Sequence, residues 1–313
     1  MHELAGAATH VAYFGVLFGC LTVCVRRKIH RRSLLASAAL AFAVTWLFIG
    51  LYLRQTLVDA GSARLWLAQG NVFFEAWGEV LASPVRWWVT SQLLGWVTVR
   101  TYFLASETDT PRNELPFQLA SFAGAVSLGY SLREASRMEK PRGAAAESAR
   151  FAAGVCVAAC VMIVALPWAP GNVRMLLLSG IHLALMVPFF SARRTGARSP
   201  GRWPLILAAL LLIVQLSAVV RAVGSVAGGL HSGQSLGDVM AAEFVSPCVA
   251  SVFADVVLTT AFWLVIAVPR DRRLSALCAA IVLSPGVVMA LTGQHRLRGG
   301  RPDPVEGRFD VKI

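Results

Sequence analysis

The chain has 313 residues, of which 56% are hydrophobic and only 15% are charged. A soluble domain carries about 25% charged residues, so this composition excludes an ordinary soluble protein and predicts a multi-pass integral membrane protein. The net charge of +12 lies mainly in short linkers between apolar runs. This pattern is typical of the positive-inside rule and of contact with the lipid bilayer, and it argues against nucleic acid as a partner.

The first two apolar runs, 5–25 and 33–53, are separated by the basic linker 26–32. A cleaved signal peptide has its positive charges before the apolar stretch, whereas here they follow it. The order of charges therefore predicts a retained first helix whose N-terminus lies outside.

The next segment begins as a polar loop and becomes amphipathic over 65–83. It either lies in the membrane interface, dips in and returns, or crosses as a helix that faces a polar interior. Pro84 ends it, because the residue before a proline is disfavoured in helices. A longer run, 86–106, follows and leads into an acidic linker, 107–114.

The second half of the chain alternates further apolar runs with charged linkers. Run 116–132 is short and rich in small residues, which suits close packing between helices. The runs after the charged linker 133–150 are 151–167, 174–190, 203–223, 247–268 and 274–292.

The predicted fold class is therefore all-α, a polytopic helix bundle with seven to nine transmembrane helices. We expect one transmembrane domain, 1–292, and a basic, disordered tail, 293–313. The number of spans stays open because the sequence does not show whether 65–83 and 274–292 cross the membrane.

Asp255 is a single carboxylate inside the apolar run 247–268, with Thr259 and Trp263 on the same helical face. Ionisable residues at membrane depth are candidates for functional sites. Apolar surroundings favour the neutral form of a carboxyl group, and a neutral acid in an aromatic pocket suits general acid catalysis on an alkene or epoxide. The alternative is a hydrogen bond from Asp255 to a neighbouring helix that holds the bundle together.

A second candidate group lies upstream. Glu75 and Glu79 are four residues apart and share a helical face, with Trp77 between them. The alternative for this group is an interfacial helix whose carboxylates are in water. Gln92 and Trp96 share a face of the next run, and its start, with Trp88, resembles an interfacial anchor.

The remaining polar residues do not indicate a specific functional site. Arg100 and Arg221 are single cations near helix ends, for which pairing with an anionic group and snorkelling both stay open. Glu243 is expected in a solvated connection. The six cysteines lack histidine partners at ligand spacing, and no paired acidic motif for magnesium diphosphate occurs, so we expect no metal and no cofactor.

Two stretches carry a resemblance to a known family. SPVRWWVTSQLLGWVTVRTYFLASE, residues 83–107, and FADVVLTTAFWLVIAV, residues 253–268, resemble membrane-bound terpene cyclases of fungal meroterpenoid and sesquiterpenoid pathways. The resemblance implies proton-initiated cyclisation of a linear prenylated or epoxidised substrate, with acidic residues on an early and a late helix. It also implies other enzymes of the pathway in the same membrane as partners.

The leading hypothesis is thus an integral-membrane terpene cyclase with Asp255 as proton donor and Glu75 and Glu79 as donor partner or terminal base. The expected substrate-binding wall consists of Trp77, Trp88, Gln92, Trp96 and Trp263. Two other hypotheses stay open: a transporter or channel for a small or lipophilic solute, and a non-catalytic membrane scaffold.

Overall fold

The computed structural model describes residues 2–27, 29–69, 72–107, 111–136, 146–190 and 202–297. Every regular element in these ranges is a helix, which confirms the all-α prediction. The first seven helices are α1 (His2–Arg26), α2 (Arg32–Asp59), α3 (Ala63–Gln69), α4 (Val72–Val80), α5 (Pro84–Glu107), α6 (Leu115–Ala123) and α7 (Val126–Ser136). The remaining ones are α8 (Ala146–Ala165), α9 (Gly171–Met186), α10 (Trp203–His231), α11 (Leu236–Phe244), α12 (Pro247–Ala267), α13 (Arg273–Leu283) and α14 (Pro285–Leu297).

Six helices are long and apolar enough to cross a bilayer, and they support the prediction of a membrane protein. They include α1, α2, α10 and α12, and the other two are α8 and α9 with the short 3₁₀ turns that follow them. The prediction of seven to nine spans is thus supported for six helices in the described part of the chain.

Helix α5 lies at the centre of the bundle. It packs against α8, α10, α12 and α14, and almost every side chain from Thr90 to Ser106 is buried. It carries Gln92, Arg100 and several hydroxyl groups, which lower its hydropathy below that of the outer helices. A helix covered by protein on all sides needs no lipid-facing apolar surface, so its hydropathy can be too low for it to be recognised as a membrane span.

The two apolar runs for which the sequence left the crossing open contain short helices. Segment 65–83 contains α3 and α4, of 7 and 9 residues, on either side of residues 70–71, which lie outside the described residues. Run 274–292 is divided into α13 and α14 at Ser284, whose φ of 92° breaks the helix before Pro285. Helix α14 continues to Leu297, so the beginning of the predicted disordered tail, 293–297, is helical. Residues 298–313 lie outside the described residues.

Run 116–132 forms a helical hairpin rather than one helix. Its arms, α6 and α7, meet at Gly124–Ala125 and lie side by side in opposite directions. A Cβ on Gly129 of α7 would lie 2.1 Å from Ser121 Oγ and 2.4 Å from the Phe117 carbonyl oxygen, both on α6. The arms can therefore approach this closely only because residue 129 is glycine.

Candidate functional site

The tip of this hairpin is held by Asp255, which lies near the middle of the 21-residue α12. One carboxylate oxygen accepts the backbone N–H of Val126 at 2.7 Å, and the other accepts that of Ser127 at 2.8 Å. Thr259 Oγ1, one turn along α12, lies 3.3 Å from the second oxygen. The first N–H groups of a helix have no partner within it and attract negative charge, so Asp255 caps α7 from a neighbouring helix.

Arg100 of α5 also binds this hairpin. Its Nη1 donates to Ser121 Oγ on α6 at 2.6 Å, and its Nη2 donates to the Gly129 carbonyl on α7 at 3.0 Å. The guanidinium also lies 5.6 Å from the ring centres of Trp96 and Tyr130. One buried cation therefore joins both arms to the central helix through neutral oxygens and aromatic faces.

The base of the hairpin lies at the end of the bundle that contains the α1–α2 linker. The Ala135 carbonyl, near the end of α7, accepts the backbone N–H groups of His30 and Arg31. Arg133 pairs with Glu134 at 2.6 Å and with Glu114, just before α6, at 3.2 Å. Both arms thus begin and end at the same side, and the tip lies at the depth of Asp255.

A second polar cluster lies at the opposite end of the bundle. Glu243 of α11 accepts a hydrogen bond from Ser83 Oγ at 2.5 Å and pairs with Arg86 Nε at 3.1 Å. Ser246, which precedes α12, donates to the carboxylate of Glu79 on α4. This cluster connects the start of α5 to α4, α11 and α12.

Between these two levels, α5 presents further polar groups to the bundle interior. Gln92 Nε2 donates to Gln215 Oε1 of α10 at 2.5 Å, with both side chains buried. Trp96 follows one turn later and packs edge-on against Tyr130, at 5.1 Å between ring centres. Gln92, Trp96 and Arg100 thus form a polar and aromatic stripe along one face of α5.

The predicted catalytic residues do not come together. Glu79 is bound by Ser246, which lies nine residues before Asp255, an offset of about 13.5 Å along the axis of α12. Glu75 is exposed on α4. The predicted face of Asp255, Thr259 and Trp263 is present, and all three residues are buried.

The predicted aromatic wall is also dispersed. Trp96 is at the hairpin, whereas Trp77 contacts His182 of α9 at 5.4 Å between ring centres. Trp88 is half-buried one turn before Gln92, and its indole nitrogen has no hydrogen-bond partner in the structure. Among the described residues, no three histidine, cysteine or acidic side chains come together as metal ligands do.

Arg100 and Glu243 have contacts that the sequence pattern does not specify. Arg100 was identified as a single cation with two open roles, and its hairpin contacts show that it is not a snorkelling residue. The sequence feature that could have indicated this contact is a single arginine in an apolar run, followed by a segment rich in glycine and serine. Glu243 was expected in a solvated connection but pairs with Arg86 at the bundle end.

No family model, no curated protein and no solved structure matches this chain. The resemblance to membrane-bound terpene cyclases therefore stays a prediction.

Proposed function

We propose that the protein is a membrane transport protein for a small anionic solute, and that the α6–α7 hairpin is its moving part. The observation that carries the proposal is the hairpin, whose tip ends inside the bundle. Asp255 binds the tip, and Arg100 binds both arms. Non-helical backbone at membrane depth is tolerated where it is buried in protein or lines a pathway, and interrupted helices form binding sites in many transporters.

The proposed topology has seven spans, because α5 crosses as a central helix in addition to the six outer ones. The hairpin enters and returns on one side and adds no crossing. The helix ends that flank the basic stretches 26–32, 133–150, 192–202 and 269–273 then all lie on the same side, as the positive-inside rule requires. If residues 116–132 formed one crossing helix, the start of α8 would lie on the opposite side of the membrane from the α1–α2 linker. A hairpin that enters and returns avoids this.

The proposed solute path follows the stripe on α5. Arg86 and Glu243 lie at one end, the Gln92–Gln215 pair lies further in, and Arg100 lies at the hairpin. Amide groups can accept or donate a hydrogen bond to a passing solute, and a buried guanidinium favours an anion.

Arg100 also supplies a way for the solute to move the hairpin. Its contacts at Ser121 and Gly129 are with neutral oxygens, whereas a carboxylate or phosphate forms stronger, charge-assisted hydrogen bonds with a guanidinium. Solute bound at Arg100 would therefore compete with the hairpin and release both arms, while Asp255 keeps hold of the tip.

The test is uptake of radiolabelled small anions, from chloride to short carboxylates, into proteoliposomes. We expect saturable uptake of at least one anion, a loss of about tenfold in Arg100→Gln, and no change in Arg202→Gln. Arg202 is an exposed arginine at the start of α10 and serves as the matched control. Uptake equal to that of protein-free vesicles for every anion, or equal uptake by Arg100→Gln, would contradict the proposal.

A terpene cyclase is the second candidate, and Glu79 favours it. This half-buried carboxylate accepts a hydrogen bond from the Ser246 hydroxyl and shares α4 with Trp77, so it could exchange a proton with a substrate beside an aromatic face. Asp255 would have to give up two backbone hydrogen bonds to act as the acid. A linear farnesyl substrate should give an isomeric product by mass spectrometry, lost in Glu79→Gln and kept in Glu75→Gln. Without such an isomer, this candidate is excluded.

A further inference from the structure

An apolar groove runs along the outer surface between α8 and α10. It has a volume of about 280 Å³ and is lined by Cys160, Val161, Val164, Ala165, Trp168, Leu210 and Ile213. Small-molecule sites usually enclose ~300 to 1,000 Å³ and carry a few polar groups in their walls. This groove is at the lower limit of that range and has an apolar wall, so it suits one hydrocarbon chain better than a polar metabolite.

A cation lies above one end of the groove. Arg221 lies two turns beyond Ile213 on α10, and its guanidinium carbon is 4.3 Å from the ring centre of Trp168. Its Nε is buried and has no hydrogen-bond partner, and none of the ion pairs within the described residues includes Arg221. Trp168 is 71% exposed and Arg221 is half-buried, so the stacked pair is partly accessible from outside the bundle.

The position of this pair along α10 matches the level of lipid headgroups. Arg221 is 18 residues after Trp203, the first residue of the helix, which corresponds to about 27 Å of helix length. The hydrocarbon core of a bilayer is about 30 Å thick, and tryptophan and arginine are favoured at its boundaries. With Trp203 at one boundary, Arg221 and Trp168 lie at the other.

We propose that the groove binds one acyl chain of an anionic phospholipid whose phosphate pairs with Arg221. The chain would lie against Val161, Val164 and Ile213, and the phosphate would bind the terminal nitrogens of the Arg221 guanidinium at the headgroup level. The phosphate provides the anionic partner that Arg221 lacks within the described residues. The lipid would join α8 to α10 at the end of the bundle that holds α11.

The positive charge of Arg221 favours an anionic phospholipid over a second protein helix as the occupant of the groove. A helix would cover the apolar wall but would leave Arg221 without an anion, and burying an unpaired cation in a protein interface is costly. An anionic lipid satisfies both parts of the site with one molecule and keeps the guanidinium at the headgroup level.

Native mass spectrometry of the purified full-length protein tests this directly. The protein is titrated in detergent with palmitoyl-oleoyl phosphatidylglycerol and, separately, with palmitoyl-oleoyl phosphatidylcholine. We expect tighter binding of the anionic lipid, and a loss of about tenfold in its affinity in Arg221→Gln, the factor that corresponds to one charge-assisted hydrogen bond. Arg202→Gln, which changes an exposed arginine near the other end of α10, should bind both lipids as the unmodified protein does.

A second variant tests the groove itself. Val161 is 59% exposed on the outer face of α8, so Val161→Trp fills the groove without disturbing the bundle interior. We expect it to weaken binding of both lipids, and glycerophosphoglycerol, the headgroup without chains, should not compete. Equal affinity for the two lipids in the unmodified protein, unchanged binding in Arg221→Gln or Val161→Trp, or competition by the free headgroup would each overturn the proposal.

Discussion

The carboxylate of Asp255 accepts the backbone N–H of Ser127 at 2.8 Å, although the two residues are 128 positions apart in the chain. The neighbouring N–H of Val126 is bound by the other oxygen of the same carboxylate. Without this contact, the first peptide groups of α7 would lie in the bundle interior with no water to bind them. The single carboxylate of α12 therefore explains why the chain can reverse direction at the depth of Asp255.

Asp255→Asn should loosen the hairpin tip. The amide can offer one oxygen to the two N–H groups, and its NH₂ faces a donor, so we expect a loss of about 1 to 3 kcal/mol in the stability of this contact. Hydrogen exchange at Val126 and Ser127 should rise, whereas Asp271→Asn, which changes an exposed aspartate in the turn after α12, should change neither amide. Unchanged exchange at the tip in Asp255→Asn would show that the carboxylate does not hold it.

Gly129→Ala should separate the arms of the hairpin. The added methyl group would lie 2.1 Å from Ser121 Oγ and 2.4 Å from the Phe117 carbonyl oxygen, so α6 and α7 must shift, at a cost of about 1 to 3 kcal/mol. The matched control is Gly154→Ala in α8, where the methyl group meets no atom within 4 Å. Thermal unfolding in detergent should be lowered by the first change and not by the second. Equal melting temperatures would contradict the close packing of the arms.

The pair of Gln92 and Gln215 should behave as a coupled unit. Each single change to leucine breaks the bond between the two buried amides, at a cost of about 1 to 3 kcal/mol. The cost should be smaller for Gln215→Leu, because Gln92 Nε2 also donates to the Trp88 carbonyl. The double change removes both amides and should be much less destabilising than the sum of the single changes. A double-mutant cycle of unfolding free energies measures the coupling. Additive effects of the two single changes would mean that the hydrogen bond is not formed.

The sequence predicted the features that follow from composition and helical periodicity. These include the all-α fold and the shared face of Asp255, Thr259 and Trp263. One of the two roles predicted for Asp255 was a hydrogen bond to a neighbouring helix, and the structure shows such a bond to α7. The signal was the cost of an isolated carboxylate in an apolar run, which requires some partner.

The interruptions of the helices were harder to predict. Run 116–132 is continuously apolar around Gly124, and hydropathy cannot tell a crossing from a reversal within such a run. The break at Ser284 did have a signal, because Pro285 follows it. Long-range pairs such as Arg100 with Gly129 depend on tertiary packing, and no local pattern encodes them.

The first turn of α11 should loosen in acid. Asp238 accepts hydrogen bonds from the side chain and the backbone N–H of Ser235, and these hold the pKa of its carboxyl below the ordinary value of 3.8. A carboxyl with a lowered pKa stabilises the fold above its ordinary value, and this stability is lost as the pH falls through the folded value. Amide protection factors in α11 should therefore drop as the pH is lowered below 3.8. In Asp238→Asn the protection should be lower throughout and independent of pH in this range.

The most direct test of the account is the side of the membrane on which the two ends of the hairpin lie. Arg112 precedes α6 and Ser136 ends α7, so Arg112→Cys and Ser136→Cys can each be labelled in sealed vesicles with a membrane-impermeant maleimide. His30→Cys marks the side of the α1–α2 linker, and the unmodified protein gives the background from its native cysteines. A hairpin that enters and returns predicts labelling of all three positions from one side. Labelling of residues 112 and 136 from opposite sides would show that this segment crosses the membrane, and it would contradict the account.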